Sequence, residues 1–133
     1  MRQEISTGSA PEALGPYSQA VRAGQFLFLS GQVPIDPATG ELVQGGTGPQ
    51  THQVLKNITA VLSAANISLD HVVRTTVFLL DMNDFTEMND VYKKYCVIIW
   101  EFVSKFLYAQ IRITFIKRLF CQLFNLESEN IIK

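Results

Sequence analysis

The distribution of glycine and proline constrains this 133-residue chain more than any other feature. All eight glycines and all five prolines lie between Gly8 and Pro49. These two residue types are the strongest local interruptions of regular secondary structure. The first third of the chain is therefore predicted to form turns and short strands, whereas the rest can form longer elements.

Short strands are predicted on both sides of the first turns. Residues 2–6 can form one strand, and residues 20–22 and 25–29 flank a turn that contains Gly24. Two short apolar runs joined by a glycine-containing turn are typical of a β-hairpin. The chain therefore begins as an antiparallel sheet.

Helical spacing begins after Pro49. Residues 49–65 carry apolar side chains on one helical face, with Pro49 suited to the first turn and Asn66 to a left-handed stop. That face consists of Val54, Leu55, Ile58, Val61, Leu62 and Ala65.

A second strand-and-helix unit follows. Residues 72–80 (VVRTTVFLL) form a β-branched, continuous apolar run that predicts a central strand. Residues 84–95 return to helical spacing, and Asp84 with Glu87 has the form of a capping box. A hairpin, a helix, a strand and a second helix predict an α+β fold with both helices on one face of a sheet.

The chain changes character after Cys96. Residues 1–96 hold six basic and nine acidic residues, a charge of −3, whereas residues 97–133 hold five basic and three acidic, a charge of +2. The second part also holds five of the nine phenylalanines and the only tryptophan. We therefore predict an α+β domain over residues 1–96 and a divergent apolar tail over 97–133. Charged residues interrupt every stretch of the tail long enough to cross a bilayer, which takes about 20 apolar residues.

Composition excludes several classes of protein. With 47% hydrophobic and 17% charged residues the chain is not disordered, and a net charge of −1 disfavours nucleic-acid binding. Two cysteines are too few for a disulfide framework, and residues 1–10 have no signal-peptide core. A cytoplasmic location is expected, with a mitochondrial one left open.

The candidate site consists of two polar turns, residues 15–19 and 30–32. Glycine there would let a ligand approach the backbone, and Tyr17 supplies a hydroxyl on an apolar ring. The same residues are also typical of ordinary turns, so this reading stays open. His52 and His71 have no partners at metal-ligand spacing, and we predict no metal site.

Four segments together resemble one family. They are residues 15–20 (GPYSQA), 29–32 (LSGQ), 75–78 (TTVF) and 81–85 (DMNDF). In order and spacing they resemble the Rid family of reactive-intermediate deaminases, also called YjgF-type proteins, over residues 5–95. The resemblance implies a chorismate-mutase-like α+β fold and a homotrimer with small-molecule sites in the clefts between subunits.

The activity implied by the resemblance is hydrolysis of enamine and imine acids, of the 2-aminoacrylate and 2-iminobutanoate type, to 2-keto acids and ammonia. No cofactor is implied. By the same resemblance Tyr17 closes the cleft, Ser30 and Gly31 line it, and Asn89 supports it.

The chain departs from this family after Tyr95. The family continues with a Pro-Ala-Arg-Ser-type segment that carries a carboxylate-binding arginine, and then with two strands, the last bearing a glutamate. Here residues 96–100 read CVIIW, so the tail replaces both strands. We therefore expect weak deaminase activity and a disturbed trimer, unless Arg112 enters the cleft on a strand at 111–115. The alternatives are a translation-inhibitor, ribonuclease-type or regulatory binding module, and an inactive isoform.

Overall fold

The structure, a computed structural model, describes residues 1–95 and the backbone of 120–122. The helices and strands form the predicted α+β arrangement. In chain order they are β1 (Arg2–Ile5), β2 (Ala20–Ala23), β3 (Phe26–Leu29), α1 (Thr47–Ala64), β4 (Thr76–Phe78), α2 (Phe85–Tyr95) and β5 (Phe120–Gln122). Two short 3₁₀ turns, Leu69–His71 and Met82–Asp84, precede β4 and α2.

The first three strands form an antiparallel sheet in the order β1-β2-β3. Gly24 adopts a φ of 60° in the turn between β2 and β3, which confirms the predicted hairpin and explains the glycine. Ile5, Ala20 and Leu29 are neighbours across the three strands, and all three are buried. This row of residues marks the face of the sheet that packs into the core.

Helix α1 supplies most of that core. It begins at Thr47, two residues before the predicted start, and ends one residue before the predicted end. Asn66 follows it with a φ of 56°, which confirms the predicted left-handed stop. The buried cluster joins α1 to the sheet and to Met88 and Tyr92 of α2. Its α1 members are those predicted: Val54, Leu55, Ile58, Val61 and Leu62.

The predicted capping box at the start of the second helix is wrong. Asp84 lies in the preceding 3₁₀ turn, where Asp81 is the cap and accepts a hydrogen bond from the Asn83 amide at 2.8 Å. Glu87 instead reaches the start of α1, where its carboxylate accepts a hydrogen bond from the Gly48 amide at 2.9 Å. A Cβ at position 48 would lie 2.6 Å from that carboxylate oxygen. One acidic side chain of α2 therefore caps α1, and glycine permits the close approach.

The predicted strand at residues 72–80 is shorter than expected. Only Thr76–Phe78 forms a strand, and its residues are half-buried rather than central to the core. Val73 is 80% exposed and Leu80 is 49% exposed. β-Branched residues favour extended backbone, but a strand also needs a hydrogen-bonded partner of matching length. The only partner among the described residues is the three-residue β5.

Strand β5 comes from the predicted tail. It pairs antiparallel with β4, with Val77 opposite Cys121. At this point the tail adds a strand to the fold beside β4. The predicted boundary after residue 96 and the predicted strand at 111–115 lie outside the described residues.

We predict that Leu55→Ala and Ile58→Ala each lower the free energy of unfolding by about 2–5 kcal/mol, because each leaves a cavity in the buried cluster. Chemical denaturation of the purified variants measures the loss. Lys56→Ala, an exposed change on the same helix, is the matched control and should stay within about 0.5 kcal/mol of the parent. Losses below about 1 kcal/mol at both core positions would contradict the packing described.

We also predict that Glu87→Ala costs about 0.5–2 kcal/mol, since it removes the cap on α1. Glu87→Gln keeps an oxygen acceptor for the Gly48 amide and should cost less. Denaturation midpoints and amide exchange at Gly48 report the effect. Equal stabilities for the alanine and glutamine variants would show that the contact does not cap the helix.

Candidate functional site

Tyr17 lies at the end of a turn that folds back on itself. Its amide donates a hydrogen bond to the Gly15 carbonyl at 2.8 Å, and its hydroxyl accepts one from the Leu14 amide at 3.3 Å. A Cβ at position 15 would touch the tyrosine ring at 3.5 Å. The side chain is 51% exposed. Tyr17 therefore presents a ring and a hydroxyl to solvent from a turn held by its own backbone.

Gln19 is the buried centre of this region. Its Oε1 accepts a hydrogen bond from the Thr7 amide at 2.6 Å. Its Nε2 donates to the carbonyls of Pro11, Thr7 and Ala10 at 2.8, 3.0 and 3.3 Å. The side chain is 5% exposed, so these contacts are shielded from water. One carboxamide thus fastens residues 7–11 to the start of β2.

Ser30 joins the two predicted turns. Its hydroxyl donates a hydrogen bond to the Ser18 carbonyl at 2.6 Å, and its amide donates to the Gln19 carbonyl at 3.0 Å. The end of β3 is therefore held against the 15–19 turn. The two turns predicted to form one site therefore lie side by side.

A cavity of about 330 Å³ opens between these turns and the loop that follows β3. The described lining comes from two segments, which we call the two walls: residues 8, 10–14, 17 and 19 form the first, and residues 31–33, 35, 37 and 40 form the second. Tyr17 and Gly31 both line this cavity, one on each wall. Ser30 is not among the lining residues, and Asn89 lies half-buried on α2. The structure therefore brings two of the four predicted site residues to one cavity.

Asn57 holds the second wall, a role that sequence analysis missed. From α1 its Nδ2 donates hydrogen bonds to the Ile35 carbonyl at 2.9 Å and to the Val33 carbonyl at 3.1 Å. Gln53 completes the network by donating to Asn57 Oδ1 at 2.9 Å. Asn57 is 1% exposed. The one available signal was a polar residue next to Ile58 on the apolar face of a predicted helix.

The cavity has little charge within the described lining. Glu12 is the only carboxylate there, and neither lysine nor arginine contributes to it. The remaining polar groups are the Tyr17 hydroxyl, the amides of Gln19 and Gln32, and backbone atoms. Such a lining can hydrogen-bond a small polar ligand but offers no cation for a carboxylate.

The two histidines have other partners. His52 Nδ1 lies 2.6 Å from the Tyr95 hydroxyl, and their rings meet edge to face at 5.4 Å. Burial raises the pKa of Tyr95, so the phenol stays protonated. His71 Nδ1 lies 3.0 Å from the Ser68 hydroxyl. Over residues 1–95, no three His, Cys, Asp or Glu side chains are grouped to hold a metal ion.

Neither described helix is long and apolar enough to cross a membrane.

The chain matches known proteins over the region that builds this cavity. The family model described as endoribonuclease L-PSP matches residues 7–105. A RutC family protein of Pyrococcus horikoshii is 57% identical over 71% of this chain and 75% of its own length. The mouse protein named 2-iminobutanoate/2-iminopropanoate deaminase is 50% identical over 71% of this chain and 70% of its own.

A solved structure supports the same relationship. A Rid family protein of Yersinia pestis superposes with a TM-score of 0.75 at 34% identity, over 92% of this chain and 96% of the other. The resemblance predicted from the four segments is thereby confirmed, and the family model extends ten residues beyond the predicted limit of the resemblance at residue 95. The chain belongs to the Rid family, the group of proteins described by the endoribonuclease L-PSP model.

Proposed function

We propose that this protein hydrolyses small imine and enamine acids to 2-keto acids and ammonia, and that the substrate occupies the cavity between residues 8–19 and 31–40. The observation that carries the proposal is that Tyr17 and Gly31 line one cavity. The mouse relative named 2-iminobutanoate/2-iminopropanoate deaminase supports the substrate class. A volume of about 330 Å³ is large enough to accommodate an acid of three or four carbons.

The reaction consumes one water molecule for each imine. Water adds to the imine carbon, a carbon–oxygen bond forms, and the carbon–nitrogen bond then breaks as nitrogen leaves with its protons as ammonia. An enamine acid such as 2-aminoacrylate first takes a proton at carbon and releases one from nitrogen, which converts it to the imine. No electrons are transferred, so the proposed reaction requires no redox cofactor.

The described lining offers hydrogen bonds for this chemistry. The Tyr17 hydroxyl accepts from the Leu14 amide, which leaves its own proton for a ligand. Gly31 brings bare backbone to the opposite wall. Such groups can orient the imine and hold the attacking water.

Turnover is proposed to be slow, because the substrate carboxylate has no cation in the described lining. Glu12 supplies the only carboxylate of the described lining, and a second carboxylate brings no favourable charge pair there. The sequence after Tyr95 also lacks the Pro-Ala-Arg-Ser-type segment expected of the family. A charge-assisted bidentate contact is about twice as strong as a neutral hydrogen bond, so its loss weakens both binding and orientation.

We further propose that copies of the chain associate into the homotrimer that the family resemblance implies. The contact between copies is proposed to form on the outer face of the β1-β2-β3 sheet. Phe26 and Phe28 lie on the face opposite the buried Leu29, and Phe26 is 68% exposed. Large exposed apolar groups on a regular surface are typical of protein–protein contacts. Association would also account for Asn89, which lies on α2 away from the cavity of its own chain and could complete the cavity of another copy.

We expect the purified chain to form keto acid from enzymatically generated 2-aminoacrylate or 2-iminobutanoate more slowly than the mouse relative, by about 10²- to 10⁴-fold. Tyr17→Phe should lower the rate further, because it removes the hydroxyl. Tyr95→Phe, at the far end of α2, is the matched control and should not change it. A chimera with a family-type segment after Tyr95 should regain activity.

The same preparations should be incubated with RNA. Cleavage of RNA without release of ammonia would replace the deaminase proposal with a ribonuclease function. A chain as fast as the mouse enzyme would show that the missing arginine segment does not limit it.

For assembly, we expect sedimentation velocity to show concentration-dependent association weaker than that of a relative with the family-type C-terminus. Phe26→Asp should shift the protein to monomer, because it places a charge in the apolar contact. Gln25→Asp, an exposed neighbour in the turn, is the control and should leave association unchanged. A monomer at every concentration would overturn the assembly proposal, and a fully stable trimer would show that the tail does not weaken it.

A further inference from the structure

Both walls of the cavity are held by buried carboxamides. Gln19 ties the wall formed by residues 7–11 through four hydrogen bonds, and it is 5% exposed. Asn57 ties the wall that contains Val33 and Ile35 through two, and it is 1% exposed. The two amides lie on different elements, one before β2 and the other within α1.

These hydrogen bonds matter because neither wall belongs to a helix or to one of the five named strands. Backbone carbonyls in such segments have few partners in regular structure, so side chains satisfy them. The carbonyls of Thr7, Ala10 and Pro11 converge on the single Nε2 of Gln19. An apolar side chain of equal size would leave them unpaired and free to turn outward.

Each amide is anchored to the core. Gln19 precedes the buried Ala20, and Asn57 precedes the buried Ile58. The packing of α1 on the sheet therefore sets the distance between the two walls. A cavity with anchored walls rejects a larger ligand, whereas mobile walls adapt to it.

From this arrangement we propose that Gln19 and Asn57 are positioning residues that set the width of the cavity and thereby limit substrates to small side chains. The inference rests on the proposed function and specifies its selectivity. Neither residue needs to touch the reacting atoms, since each acts through the backbone that it holds.

The test compares a small and a large substrate. Gln19→Met and Asn57→Leu keep the side-chain size but remove the amide. We expect each to raise, by about 10-fold, the ratio of kcat/KM for the imine of phenylalanine to that for 2-iminobutanoate. Gln19→Glu keeps an acceptor for the Thr7 amide but cannot donate to the three carbonyls, and it should behave like Gln19→Met.

Arg22→Met is the matched control. Arg22 donates a hydrogen bond to the Ala65 carbonyl at 2.6 Å at the end of α1, a side-chain-to-backbone tie outside the cavity lining. Its loss should lower stability and leave the substrate ratio unchanged. An equal change of ratio in this control would assign the effect to general loosening of the fold and overturn the proposal.

A binding measurement separates this inference from the proposed function. Calorimetry with 2-ketobutanoate and phenylpyruvate should show binding of the smaller acid to the parent chain and gain of the larger acid by both amide variants. Binding with this pattern but without turnover would overturn the deaminase function alone. An unchanged preference in folded variants, or binding of neither acid, would overturn the width proposal. Should Gln19→Met not fold, Asn57→Leu and Gln19→Asn, which shortens the same amide, decide the outcome.

Discussion

Burial of one face of α1 is the interaction on which the rest of this structure depends. Val54, Ile58 and Val61 are between 0% and 2% exposed, and they belong to the buried cluster that also contains residues of the sheet and of α2. Full burial of such side chains contributes about 1.5–3 kcal/mol each. No other described element joins the sheet and the second helix through as many buried residues. The positions of the loops follow from this packing, because the side chains that hydrogen-bond the loops lie next to residues of the buried cluster.

Polar side chains then connect irregular segments to this core. Glu87 of α2 caps the start of α1. Gln19 binds the backbone of residues 7–11. Asn57 of α1 binds the backbone of the loop after β3. In the described residues, every buried side-chain nitrogen and oxygen has a partner. Such hydrogen bonds each contribute modestly, but an unpaired buried group costs about 1–3 kcal/mol. The loops around the cavity are therefore specified by satisfaction of polar groups more than by apolar contact.

Family membership and the polar lining of the cavity are both compatible with the proposed chemistry. The relatives identify a family that includes imine deaminases, and the cavity offers hydroxyl, amide and backbone groups suited to a small polar acid. The described lining lacks a cation, and the sequence after Tyr95 lacks the arginine segment.

The sequence by itself determined the elements that depend on local pattern. The hairpin at Gly24, the apolar face of α1 and the stop at Asn66 follow from φ preferences and helical spacing, and all three were predictable. Family membership was also readable, because short motifs such as GPYSQA keep their order along the chain.

Which distant groups meet depends on the packed fold. Glu87 was predicted to cap its own helix and instead caps another, since a carboxylate accepts from whichever free amide lies nearest. Residues 72–80 had the composition of a long strand, but only Thr76–Phe78 found a paired backbone. The partners of Gln19 and Asn57 could not be read from local pattern, because the backbone groups that these side chains hold lie 8 to 24 residues away. Local sequence specifies propensity, whereas the pairing of polar groups depends on which segments the packed core brings together.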